Sequence, residues 1–176
     1  KKKAETLTAM SQTLLTAADY ETIAEIATEY FYEANQCSVI LYLGSPQQPQ
    51  IIKTKTLKDE DENIFKSVLE KQVSLIAYNN GMPCGADVEQ GSKNCKGTYL
   101  PIGTQDSRYG VVGFLFDDSK SVLPSAYSFI NAMISQTILA IQKEQMNEQA
   151  QEILLETEKE KMRSNLLRAV SHDLRT

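Results

Sequence analysis

The sequence predicts an α+β fold: an antiparallel sheet with flanking helices, followed by a long C-terminal helix. Three observations point to it. Helical and strand-like periodicities are interspersed without the strict strand–helix–strand alternation of a parallel doubly wound sheet. The strand-like runs fall in two pairs, each joined by a short turn signal. From Ser125 to Thr176 there is neither glycine nor proline.

The elements follow in order. Leu7, Met10, Leu14 and Leu15 recur at helical spacing within residues 5–17. A second helix is predicted from Tyr20 to Ala34, with Ile23, Ile26, Ala27 and Tyr30 as its apolar stripe and Asp19 as its N-cap. Cys37–Leu43 and Gln50–Lys55 read as a hairpin around Gly44-Ser45-Pro46, with Cys37 a small buried hydrophobe. Asp59–Asn80 has a helical pattern, weakened at Val73–Ile76 and stopped by Gly81. Residues 82–97 are loop-like, rich in glycine and polar side chains. Thr98–Ile102 and Tyr109–Phe116 flank the turn 103–106 as a second hairpin. Tyr109–Phe116 is apolar on both faces, which suits a central strand covered by helices on one side and a loop on the other.

The domain then ends near residue 142. The 52 residues 125–176 would form a helix roughly 78 Å long, which must project from a domain about 30–40 Å across. Phe129, Ile130, Met133, Ile134, Ile138 and Ile141 are expected to pack on the domain or on a second copy. Beyond them, Glu144, Glu148, Glu152, Glu156 and Glu160 recur every four residues. Such like charges repel weakly on an isolated helix, so they fit the solvated face of a coiled-coil dimer better. Met146, Ala150 and Ile153 follow one heptad track; Leu155, Met162, Leu166 and Ala169 follow another, a register shift resembling a stutter. Paired helices of this kind can transmit rotation or a register shift.

Composition narrows the function. With 23 acidic against 18 basic side chains, the net charge of -5 argues against a sequence-independent nucleic-acid binder. A single histidine, His172, excludes any site that needs two. Three cysteines, Cys37, Cys84 and Cys95, form no C-x-x-C pair, and a reducing compartment is the simplest account of them. Cys84 and Cys95, both in the loop region, also admit thiol sensing as an alternative. No run reaches the roughly 20 apolar residues of a membrane span. Lys1-Lys2-Lys3 in place of a starting Met, and a stop at Thr176 within a helical pattern, suggest a piece of something longer. The lysines fit either the cytoplasmic flank of a membrane helix or a solvated terminus.

Chemistry concentrates at the C-terminal end. Leu167, Val170 and Leu174 share one helix face, which places His172 away from it. Asp173 beside it can orient the imidazole and leave the other ring nitrogen as a nucleophile. Ser171-His172-Asp173-Leu174-Arg175-Thr176 resembles the H-box of sensor histidine kinases, and Arg163–Val170 resembles the helix leading into it. The resemblance implies that His172 is the phosphoacceptor. It makes Asp173 the acid assisting phosphoryl transfer, and gives Thr176 an influence on dephosphorylation of a partner response regulator.

The preceding part resembles a GAF domain. Ala77–Gly85, Tyr99-Leu100-Pro101-Ile102 and Tyr109–Gly113 are similar to the GAF domain of Kdp-type potassium-sensor kinases, in which membrane helices come first. The implied organisation is a GAF-like sensory domain at 1–142, a coiled-coil signalling helix at 143–161, and the start of the dimerisation and phosphoacceptor domain at 162–176. The whole would be the cytoplasmic portion of a bacterial inner- or plasma-membrane protein. The implied partners are a second copy through the C-terminal helix, a response regulator and the parent's ATP-binding kinase domain, with a small ligand possible in the GAF domain. ATP and Mg would serve the intact parent. No ATP lid, Mg-binding asparagine box or P-loop is present, so this segment alone is expected to hold no cofactor or metal and to be inactive. No histidine is available for haem in the GAF-like part, and the Asn-Lys-Phe-Asp-Glu pattern linked to cyclic-nucleotide GAF domains is absent. The alternative is a stand-alone GAF-type module for small-molecule binding or dimerisation.

Overall fold

A computed structural model describes residues 2–86, 94–117 and 124–175. The order is α1 (Lys2–Leu15), α2 (Tyr20–Asn35), β1 (Ser38–Leu43), β2 (Ile51–Lys55), α3 (Asp59–Lys66), α4 (Val68–Asn80), β3 (Cys84–Gly85), β4 (Thr98–Gly103), β5 (Arg108–Leu115) and α5 (Pro124–Arg175). The strands form one antiparallel sheet in the order β2-β1-β5-β4-β3, with β5 at its centre. The α+β expectation holds, and both predicted hairpins are present.

Local chemistry sets the boundaries. Asp19 caps α2, its Oδ1 accepting from the Thr22 N–H at 2.7 Å. That bond holds the Asp19 carboxyl below its ordinary value of 3.8. At the other end of α4, Gly81 takes the left-handed conformation (φ 66°) and donates to the Ala77 carbonyl at 2.9 Å. The helix expected across 59–80 is divided in two. Ser67 is extended (φ −65°, ψ 152°); its N–H closes α3 on the Ile64 carbonyl at 3.1 Å, and its Oγ accepts from the Glu70 N–H at 3.4 Å. Ser67-x-x-Glu70 is an N-terminal helix signature, and it outweighs the apparent continuity of the apolar pattern. The loop expected at 82–97 contains the short strand β3; its residues 87–93 lie outside the described part.

Alternation along the strands divides the core between the two faces of the sheet. On the first face Val39, Leu41, Leu100, Ile102, Val112 and Phe114 pack against α1, α2 and the beginning of α5. Phe31 of α2 meets Phe114 edge-on, with ring centroids 5.6 Å apart. On the second face Ile40, Tyr42, Tyr99, Val111 and Leu115 pack under Phe65 of α3 and Val73 and Ala77 of α4. Helices therefore cover both faces of β5, where a loop alone had been expected on one. Cys37 is buried in the first-face core, as expected.

Two glycines let β5 pack this closely. A Cβ on Gly110 would lie 1.9 Å from the Tyr42 carbonyl oxygen, and one on Gly113 would lie 2.4 Å from the Tyr99 ring. At the free edge of the sheet, β2 is tied to α2. Lys53 pairs with Glu21 and Glu25, and Lys55 pairs with Glu29 at 2.6 Å while lying over the Tyr32 ring. These hydrogen bonds hold both ammonium groups above the usual lysine range.

The chain divides into two units, 1–141 and 142–176. The first carries the sheet. Ile130, Met133, Ile134 and Ile141 of α5 belong to its first-face core. The second unit is the remainder of α5.

Phe114→Ala should destabilise the first unit by about 3–5 kcal/mol in chemical denaturation. Val68→Ala, at a 73 % exposed position, should change it by less than about 0.5 kcal/mol. A depressed carboxyl contributes stability above its unfolded pKa and loses it as pH falls through the folded value. Asp19→Ala should accordingly lower Tm near neutrality. The difference from the unaltered chain should close as pH drops below 3.8.

Candidate functional site

Besides the ion pairs between α2 and β2, two places among the described residues stand out for their chemistry. The first is the end of the second unit. His172 and Asp173 lie in the last turns of α5, with side chains 80 % and 87 % exposed. His172 Nδ1 stands 3.8 Å from Asp173 Oδ1, beyond hydrogen-bonding distance, so the two form an ion pair only when the imidazole is protonated. The phosphoacceptor candidate is thus exposed on the helix surface, open to a partner. Thr176 lies outside the described residues. From Gln145 to Arg175 every described residue is exposed, including Ile153, Leu155, Met162, Leu166 and Val170. Apolar side chains at this density leave a helical surface that another surface can still bury.

The second place is the second face of the sheet, around Glu70. This carboxylate is only 3 % exposed. Its Oε1 accepts from the Gly97 N–H at 2.8 Å and from the Tyr99 hydroxyl at 3.0 Å, and its Oε2 accepts from the Lys96 N–H at 3.2 Å. In a capping box the third-turn-position glutamate reaches back to the N-cap N–H. Here the Ser67 N–H is already satisfied by α3, and the Glu70 side chain turns inward to the segment entering β4. Three donors repay the desolvation of the buried charge. A Cβ on Gly97 would lie 2.8 Å from Glu70 Oε1 and 2.9 Å from the Tyr99 hydroxyl, so the arrangement requires glycine there.

The neighbouring groups respond to this environment. Burial, and then the Glu70 charge, raises the Tyr99 phenol. Burial first and Glu70 next push the Cys95 thiol up to about 12, and Cys95 Sγ donates to the Gly97 carbonyl at 3.2 Å. Burial also raises Cys84. Both cysteines are buried and in no disulfide, although their loop position had suggested access. A thiol held protonated is a poor nucleophile, so burial and the neighbouring carboxylate both disfavour reaction at Cys95 in the closed fold. Outside this network lies a cleft of about 340 Å³, with Lys58, Asp61, Ile64, Cys95, Lys96 and Leu115 in its walls. Among the described residues no group of three or more His, Cys, Asp or Glu side chains is placed to hold a metal ion. No described helix is long and apolar enough to cross a membrane.

The sequence reading singled out the His172 end and missed Glu70. Its signals were present in Ser67-x-x-Glu70 and in Gly97, but no local rule connects residues 27 positions apart.

Comparison with known proteins adds a family context. No family model matches the chain. It is 28% identical over 177 residues to the sensor protein KdpD of Clostridium acetobutylicum, covering 99% of this chain and 19% of that protein. The chain therefore spans about a fifth of that relative's length. Its structure resembles the GAF domain of the potassium sensor histidine kinase KdpD from Escherichia coli, with TM-score 0.60 and 17% identity, over 84% of this chain and 98% of that one. The GAF domain of an Acinetobacter phosphoenolpyruvate-protein phosphotransferase gives TM-score 0.60 at 13% identity, over 85% and 98% of the two chains. The A. aeolicus nlh2 GAF domain gives 0.55 at 12%, over 80% and 96%. The fold is GAF-like, and the chain is similar along its whole length to part of a Kdp-type sensor kinase.

Gly97→Ala should cost the full chain about 1–3 kcal/mol in urea unfolding, since a methyl group must displace Glu70 or Tyr99 from their bonds.

Proposed function

We propose that this chain is a regulatory segment of a membrane-bound two-component sensor histidine kinase. In this reading the GAF-like unit relays a signal to the phosphoacceptor His172, whose phosphate then passes to a response regulator. The observation that carries the proposal is a single helix, α5, that contributes to the GAF-like core at Ile130–Ile141 and bears His172 near its end. The similarity to a KdpD sensor protein over 99% of the chain supports the same context.

The residues divide the work as follows. His172 offers a ring nitrogen to the γ-phosphoryl group of ATP held by the parent's kinase domain. Asp173 favours the tautomer that leaves this nitrogen unprotonated at the moment of attack. Thr176 contributes to removal of phosphate from the regulator. The exposed apolar residues from Met146 to Leu174 pair with those of a second copy, forming a parallel coiled coil over 143–161 that leads into the dimerisation domain at 162–176. A change in the packing of the paired helices alters the access of the kinase domain to His172. The GAF-like unit takes the input, either a small ligand or the state of its neighbours, on the cytoplasmic side of the membrane. ATP and Mg belong to the parent's catalytic domain. Should the GAF-like unit work instead as a stand-alone binding or dimerisation module, His172 would carry no phosphate.

Incubation of the intact kinase with labelled ATP should give an acid-labile phosphoryl label that His172→Gln abolishes. Label persisting in that variant would assign the acceptor elsewhere, and a folded kinase that takes up no label would favour the stand-alone module. A proline at Glu152 costs roughly 3 kcal/mol in a helix interior and breaks its continuity. It should uncouple the response from stimulus while leaving the GAF-like unit folded; unchanged regulation would remove the relay.

A further inference from the structure

The two faces of the sheet are closed by different means. Among the described residues the first holds 21 buried core residues and the second holds ten. Where the chain enters β4, the second face is closed by Cys95, Lys96 and Gly97: a small thiol, an exposed lysine and a residue without a side chain. Among the described residues, this stretch offers little apolar area of its own. Its attachment is polar, through the Lys96 and Gly97 N–H groups and the Tyr99 hydroxyl, all three ending on one carboxylate. The Tyr99 ring in turn fills the space above Gly113 on the central strand. On the outer side, β3 adds two residue pairs and the Ala86 N–H to Gly97 carbonyl bond at 3.0 Å.

We propose that Glu70 is a latch: its carboxylate holds the Cys95–Gly97 stretch against the second face, and loss of its bonds opens that face locally while the first stays folded. Segments with few buried apolar contacts open at lower free energy than the whole domain. Because the three bonds share one carboxylate, they are kept or lost together, which makes the opening switch-like. The stretch that opens borders the cleft outside Cys95 and Lys96. The device is independent of His172 and of any phosphorelay.

The cysteines are built-in reporters, because Cys84 and Cys95 lie in the second-face core and Cys37 in the first. The full chain is treated with a maleimide under native conditions, and each cysteine's labelling rate is read by mass spectrometry of peptides. In the unaltered chain Cys84 and Cys95 should react faster than Cys37. Glu70→Gln should accelerate both by about tenfold or more, the scale of a lost charged hydrogen bond, with Cys37 unchanged. Cys84 is the deciding readout, since removing the carboxylate by itself eases ionisation of Cys95. Tyr99→Phe keeps the ring and removes one bond, so a smaller acceleration is expected. One common rate for all three cysteines in the unaltered chain, or an unchanged Cys84 rate in Glu70→Gln, overturns the latch. If Glu70→Gln fails to fold, as shown by circular dichroism and rapid Cys37 labelling, the unaltered chain and Tyr99→Phe decide. Equal rates at Cys84 and Cys37 in both would overturn the proposal.

Discussion

The structure depends on one constraint: β5 is apolar on both sides and must be shielded on both. Val112 and Phe114 face one way, Val111 and Leu115 the other, and all four are buried. A strand of this kind is stable only at the centre of a sheet with two covers. The antiparallel pairing to β1 and β4 and the division of the helices, with α1, α2 and α5 on one side and α3 and α4 on the other, meet that requirement. Glycine at positions 110 and 113 completes it, because each position lies against a neighbouring backbone or ring with no room for a side chain.

Most of this plan was legible in the sequence, for identifiable reasons. The strands announce themselves by alternation, the turns by Gly44-Ser45-Pro46 and by residues 103–106, and the start of α2 by Asp19. These are local signals between near neighbours. Three features escaped. The break at Ser67 was hidden because the apolar positions of α3 and α4 happen to follow each other at helical spacing. The function of Glu70 was hidden because its partners, Lys96, Gly97 and Tyr99, are reached only through the fold. An exposed acid in the first turn of a helix is the ordinary reading of that position, and only burial reveals otherwise. The burial of Cys84 and Cys95 was missed for the same reason. His172 differs from all of these: its chemistry is carried by adjacent residues, so it stands out in sequence without any fold.

The two ends of the chemistry therefore have opposite physical characters. Glu70 is enclosed, shares three donors and contributes through the order it imposes on its surroundings. His172 is exposed on a helix whose apolar residues are not covered within the second unit. In the proposed function, that accessibility is what His172 needs to meet the parent's kinase domain, and the uncovered apolar side chains are what a second copy would bury.

The ion pairs between α2 and β2 bear on a different property, the behaviour of the chain at high concentration. β2 is a sheet edge, and its unpaired backbone groups could template addition of a strand from another molecule. Lys53 and Lys55 place two cations along a strand of five residues, anchored by Glu21, Glu25 and Glu29. An incoming strand would have to accommodate those charges or strip them from their partners. The short, charged edge thus disfavours association by strand addition and protects the sheet from aggregating along β2.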